Sequence, residues 1–107
     1  MDKQLIMEIE NDKQRTHDSY IVEILDDLIS VYKRKSQKDV VIYIKDRLIK
    51  IEMGLGFEKS KGMMVTKIMD VDDRAKALQR IEKSINDMMK QKIIYSKYLR
   101  KHQVKTK

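Results

Sequence analysis

Val40-Val41-Ile42-Tyr43-Ile44-Lys45-Asp46-Arg47-Leu48-Ile49-Lys50-Ile51-Glu52-Met53-Gly54-Leu55-Gly56-Phe57 admits two readings, and the choice between them decides the fold. Val41, Ile44, Leu48, Ile51 and Leu55 recur at intervals of three and four, the spacing of a coiled-coil seam. Ile49, Ile51, Met53, Leu55 and Phe57 alternate with polar or glycine residues as a strand would, and residues 40–44 are rich in β-branched side chains. The helical spacing persists over fifteen residues, whereas the alternating run contains two glycines, which weaken a strand interior. A helix to about Met53 is therefore predicted, with a hairpin of residues 47–57 against 63–69 as the alternative.

Proline is absent, and the three glycines, Gly54, Gly56 and Gly62, lie within nine residues. Helix breakers are thus confined to one place, and residues 54–62 are expected to form a loop between two long helical arms. Upstream, Tyr20, Ile21, Ile24, Leu25, Leu28, Ile29 and Tyr32 stack on one face of a helix starting near Asp18. Leu5, Ile6 and Ile9 form a shorter stripe before it, and the polar run from Glu10 to His17 fits either a turn or a solvated stretch of the same helix. Lys33-Arg34-Lys35-Ser36-Gln37-Lys38 ends the pattern, with cations suited to a helix C-terminus and Ser36 placed to cap the next helix. Downstream, Asp70, Asp72 and Asp73 mark a helix N-terminus, followed by an apolar seam of Leu78, Ile81, Ile85, Met88, Tyr95 and Leu99 broken at Lys92.

These elements make an all-α chain, an antiparallel helical hairpin or small helical bundle forming a single domain over residues 1–107. Dimerisation through coiled-coil-like seams is expected, with Leu78, Ile81, Ile85 and Met88 at the interface together with the seam of the preceding helix. The core must be mostly Ile, Leu, Val and the eight Met, since the chain has one Phe and no Trp.

The formal net charge of +7 sits wholly at the C-terminal end. No acid follows Asp87, while Lys90, Lys92, Lys97, Arg100, Lys101, Lys105 and Lys107 follow it, so residues 1–87 are neutral overall. A neutral body with a basic segment over residues 88–107, which also holds Tyr95, Tyr98 and Leu99, points to an acidic partner, DNA or RNA. Six of the seven cations are lysines, which act as point charges, so phosphate-backbone contact is expected more than base readout. Tyr95 and Tyr98, at helical spacing, fit the core better than a base-stacking platform. The alternative for the basic segment is a solvated helix end whose lysines suit the helix dipole.

Several function classes lack their residues. Without cysteine there is neither a disulfide framework nor a thiolate metal site, which fits a reducing, cytoplasmic setting. No run reaches the ~18 apolar residues of a membrane span. His17 and His102 lie in polar stretches and read as solvated surface residues, so no enzyme is expected and no cofactor is implied. Asp70, Asp72 and Asp73 do not complete a calcium loop, because Ala75 and Ile81 stand where its glycine and glutamate are needed. The glycines do not match a phosphate-binding fingerprint either. Eighteen lysines against six arginines, with fourteen isoleucines, match an AT-rich coding bias and hint at a low-GC bacterium or one of its phages.

Gly56-Phe57-Glu58-Lys59-Ser60-Lys61, preceded by Arg47-Leu48-Ile49-Lys50-Ile51-Glu52 and followed by Ile81-Glu82-Lys83-Ser84-Ile85-Asn86, resembles the helical region of the ArpU/RinA-type transcriptional regulators of Gram-positive phages. In that family a helix, a polar loop and a second helix lead into a C-terminal helix-turn-helix. The resemblance covers about half the chain and stops at Lys107, short of that reader, so it implies a phage or mobile-element origin and not promoter recognition. The leading expectation is a small phage-type regulatory or accessory protein, a homodimer contacting DNA or RNA through residues 90–107. Charge reversal of Lys97, Arg100 and Lys101 is expected to weaken that contact with little effect on folding. The runner-up is a protein-interaction module that inhibits or adapts a host protein such as a nuclease, a defence complex or RNA polymerase. A virion assembly protein is the third.

Overall fold

A computed structural model describes residues 3–68 and 70–105, and within these the chain is all-α, as expected. Four helices follow one another: α1 (Lys3–Arg15), α2 (Ser19–Arg34), α3 (Gln37–Ile68) and α4 (Val71–Lys105). Each junction has a local cause. Asp18 caps α2 by accepting from the amides of Tyr20 at 2.9 Å and Ile21 at 3.4 Å, so the polar run 10–17 divides into the end of α1 and a break at residues 16–18. Ser36 Oγ accepts from the Asp39 amide at 3.3 Å and opens α3. The Asp70 carbonyl accepts from the Arg74 amide at 2.7 Å and opens α4.

The expected loop at residues 54–62 does not form. Helix α3 runs through all three glycines, none of which has a positive φ, and the strand alternative for this stretch is not adopted. The physical reason lies in α4. A Cβ at Gly54 would stand 3.0 Å from Met88 Sδ, so the missing side chain lets α3 and α4 approach closely, offsetting the roughly 1 kcal/mol that a helical glycine costs. Gly62 is looser, with Ile81 Cγ2 at 4.0 Å from the same position. Gly62→Ala is therefore expected to raise stability by roughly 1 kcal/mol through helix propensity and contact with Ile81. Gly54→Ala should gain less because the Met88 thioether must move; thermal denaturation of the two variants checks this order.

Packing is uneven along the molecule, which measures 53 × 28 × 22 Å. Thirty-five residues at ~1.5 Å each give α4 nearly the full length. At one end, α1 and α2 close over the α3–α4 hairpin, burying Ile9, Leu28, Val31, Val40, Ile44 and Tyr98. In the other half, beyond Leu55 on α3 and before Lys90 on α4, no described side chain is fully buried, since α3 and α4 have only each other there. Among the described residues no helix is long and apolar enough to cross a membrane.

Candidate nucleic-acid interface

The basic segment of α4 forms one wall of the packed end. Tyr95 and Tyr98 are buried, so they are core residues, and their hydroxyls reach carboxylates on neighbouring helices. Tyr95 donates to Asp27 Oδ2 at 2.9 Å, and Tyr43 donates to the same oxygen at 2.8 Å while accepting from Arg47 Nε at 3.2 Å. Tyr98 donates to Asp12 Oδ2. Burial and then the carboxylate partner push both the Tyr95 and Tyr98 hydroxyls far above the ordinary tyrosine range, so they stay protonated donors.

Four of the seven C-terminal cations hold α4 to the other helices. Lys90 pairs with Asp18 at 2.6 Å, Lys92 with Glu52 at 2.5 Å, Lys97 with Asp12 at 2.6 Å and Lys101 with Glu8 at 3.0 Å. Lys92 thus breaks the apolar seam to bridge α4 to α3. Lys97 and Lys101, one turn apart, meet two acids one turn apart on α1 and fix an antiparallel register. Charge reversal at these two lysines would therefore disturb the docking of α1, so the expectation of a neutral effect on folding is revised. Arg100 is exposed. The side chain of Lys105 and all of Lys107 lie outside the described residues.

Asp12 receives both Lys97 and Tyr98. Burial alone would raise its carboxyl, but the hydrogen bonds from Lys97 and Tyr98 and the Lys97 charge hold it below its ordinary 3.8. Asp18 is likewise lowered, first by its hydrogen bond from Lys90, against the opposing effect of burial. Both groups bind protons more weakly folded than unfolded. Their stabilisation is present above the unfolded value and is lost as pH falls through the folded ones, below about pH 4. Melting temperature should hold steady from pH 7 to 5 and fall below pH 4, and Asp12→Asn should reduce that fall; circular dichroism at each pH measures it.

His102 departs from its sequence reading. It is 5% exposed, not solvated, and stacks on Tyr32 with ring centroids 5.7 Å apart. Its Nε2 is hydrogen-bonded to the Tyr32 hydroxyl at 2.5 Å and its Nδ1 to the Gln37 side-chain amide at 3.3 Å. This histidine therefore fastens the end of α4 to the corner between α2 and α3. His17 is exposed, as expected.

That corner carries Lys33, Arg34, Lys35 and Lys38, all exposed. None of these four, nor Arg100, forms an ion pair among the described residues. Asp39 is the one acid in residues 33–40. The result is a basic corner at this end of the molecule, and Arg100 lies two residues before the His102 that docks there, about 200° around α4 from it. By sequence, residues 33–38 read as the end of one helix and the cap of the next. The signal was present as the densest run of cations in the chain, but its neighbour in space depends on His102.

The expected interface residues Leu78, Ile81, Ile85 and Met88 are half-buried within the chain. Ile85 and Met88 pack on the core cluster, and Leu78, Ile81 and Ile85 line an open groove against Gly62 and Met63 of α3. Among the described residues no group of three or more His, Cys, Asp or Glu is placed to hold a metal ion. Comparison with protein-family models, curated proteins and solved structures finds no match to this chain.

Proposed function

We propose that this protein is a small accessory factor that contacts the phosphate backbone of DNA or RNA through the basic end formed by Lys33, Arg34, Lys35, Lys38 and Arg100, without catalysing a reaction. The observation that carries the reading is the clustering of exposed cations, unpaired among the described residues, at the α2–α3 corner, where four of residues 33–38 are cationic. The cations of α4 that face the other helices are matched by acids, whereas those at the α2–α3 corner and Arg100 are exposed and unmatched. Unmatched cations retain the capacity to displace condensed counterions from a phosphate backbone, which supplies most sequence-independent affinity. A regulatory role in a phage or mobile element, as the resemblance to ArpU/RinA-type proteins suggests, is part of this proposal.

Binding of the nuclease-treated protein to fluorescent duplex DNA, single-stranded DNA and RNA tests it. Submicromolar binding to at least one of them at low salt is expected; absence of binding to all three would sink it. A second reading, a module that adapts or inhibits a host protein, is favoured by the open apolar groove at Gly62, Met63, Leu78, Ile81 and Ile85. A host partner retained after nuclease treatment and lost in Ile81→Lys would favour that reading.

A further inference from the structure

Helix α3 is apolar on two opposite faces. One face, with Val40, Ile44, Ile51 and Leu55, is buried against the other helices. On the other, Ile42, Ile49, Met53, Phe57 and Met64 remain 56%, 60%, 70%, 64% and 62% exposed. From Ile42 to Met64 is twenty-two residues, six turns at about 3.7 residues each, close enough to the helical 3.6 that the stripe stays on one side of a straight helix. It runs for ~33 Å. At ~100 Å² or more of exposed surface apiece, the five side chains expose on the order of 600 Å², at the upper end of what a monomeric surface leaves to water.

The intervals along this stripe are seven, four, four and seven residues, so they read the same from either end. Such spacing lets apolar side chains meet apolar side chains about a two-fold axis, where each contact occurs twice and the central residue lies on the axis. We infer that α3 pairs with α3 of a second copy, antiparallel, about a two-fold axis at Met53. Ile42 then meets Met64 of the second copy, Ile49 meets Phe57, and Met53 meets its own counterpart. The positions that interrupt the apolar stripe obey the same symmetry: Asp46 falls opposite Ser60, a carboxylate facing a hydroxyl donor. Gly56, with nothing within 4 Å of where its Cβ would be, leaves room on the same face for a neighbouring helix to come close.

The area supports a second copy as occupant. The stripe supplies most of the ~800 Å² per partner that a standard-size interface buries, and the flanking positions supply the rest. This surface is distinct from the half-buried α4 residues expected from the sequence to form the interface. The inference does not rest on nucleic-acid contact. It does imply that a dimer carries two basic ends, each sixteen residues or ~24 Å along α3 from the axis, and so engages a polyanion bivalently.

Single-cysteine variants test the geometry, because the chain has no native cysteine. Nuclease-treated wild-type protein should sediment as a dimer at micromolar concentration. Met53→Cys should self-crosslink with a short thiol-to-thiol reagent. Ile49→Cys should not, its counterpart lying eight residues or ~12 Å away, but should crosslink when mixed with Phe57→Cys. Met53→Lys, which places two cations on the axis at an exposed position, should sediment as a monomer with unchanged helical circular dichroism. A monomeric wild type would overturn the inference, as would self-crosslinking of Ile49→Cys without Met53→Cys, the signature of parallel pairing. Nucleic-acid binding retained by a monomeric wild type would refute the dimer alone.

Discussion

Replacing Lys33, Lys35 and Lys38 together by glutamate is expected to reduce duplex DNA binding on the order of 10³-fold, with melting temperature and helix content unchanged. All three side chains are exposed and none is ion-paired among the described residues, so their loss removes no intramolecular contact that holds the helices together. Each reversal deletes one phosphate contact and adds one repulsion. Lys97→Glu with Lys101→Glu should behave in the opposite way. These lysines meet Asp12 at 2.6 Å and Glu8 at 3.0 Å, so reversal sets like charges together between α4 and α1 and lowers the melting temperature. Equal effects of the two sets on binding, with no effect of either on stability, would contradict the division of cations into a binding set and a docking set.

Tyr95→Ala is expected to cost about 3–5 kcal/mol, a large part of the 5–15 kcal/mol that holds a typical domain together. Tyr95 is 2% exposed, and truncation opens a cavity where α2, α3 and α4 meet. It also removes one of two tyrosine hydroxyls that converge on Asp27 Oδ2, leaving Tyr43 as the remaining one. Tyr95→Phe keeps the ring and deletes only the hydroxyl, so the cost should be about 1 kcal/mol. For a chain of this size the alanine variant should melt roughly 15–25 °C lower and the phenylalanine variant roughly 5 °C lower. Chemical denaturation of both separates ring packing from the hydrogen bond.

Most of the secondary structure was legible because it follows from local chemistry. The seam of α2, its start at Asp18, the Ser36 cap and the aspartates at the start of α4 each depend on residues within one turn of one another. The glycine segment misled for the same reason. Judged locally, Gly54, Gly56 and Gly62 weaken any helix, whereas burial of Ile51 and Leu55 and the approach of Met88, thirty-four residues away from Gly54, favour a continuous α3. The candidate site failed on a matching limit. Charge segregation along the sequence was visible, but which cations are matched by acids depends on α1 lying antiparallel to α4, and that register is not written in either helix alone. His102 looked solvated because its sequence neighbours are polar, while its environment is supplied by Tyr32 and Gln37 across the bundle. The exposed stripe on α3 was masked by the buried seam on the opposite face, whose three-four spacing accounts for the helix without it.

The most direct measurement is the affinity for duplex DNA across a salt series. If Lys33, Arg34, Lys35, Lys38 and Arg100 are the cations that meet phosphate, log Kobs should fall against log salt concentration with a slope between about −4 and −5 for each basic end engaged. Absence of binding at low salt, or binding that salt leaves unchanged, would contradict the account.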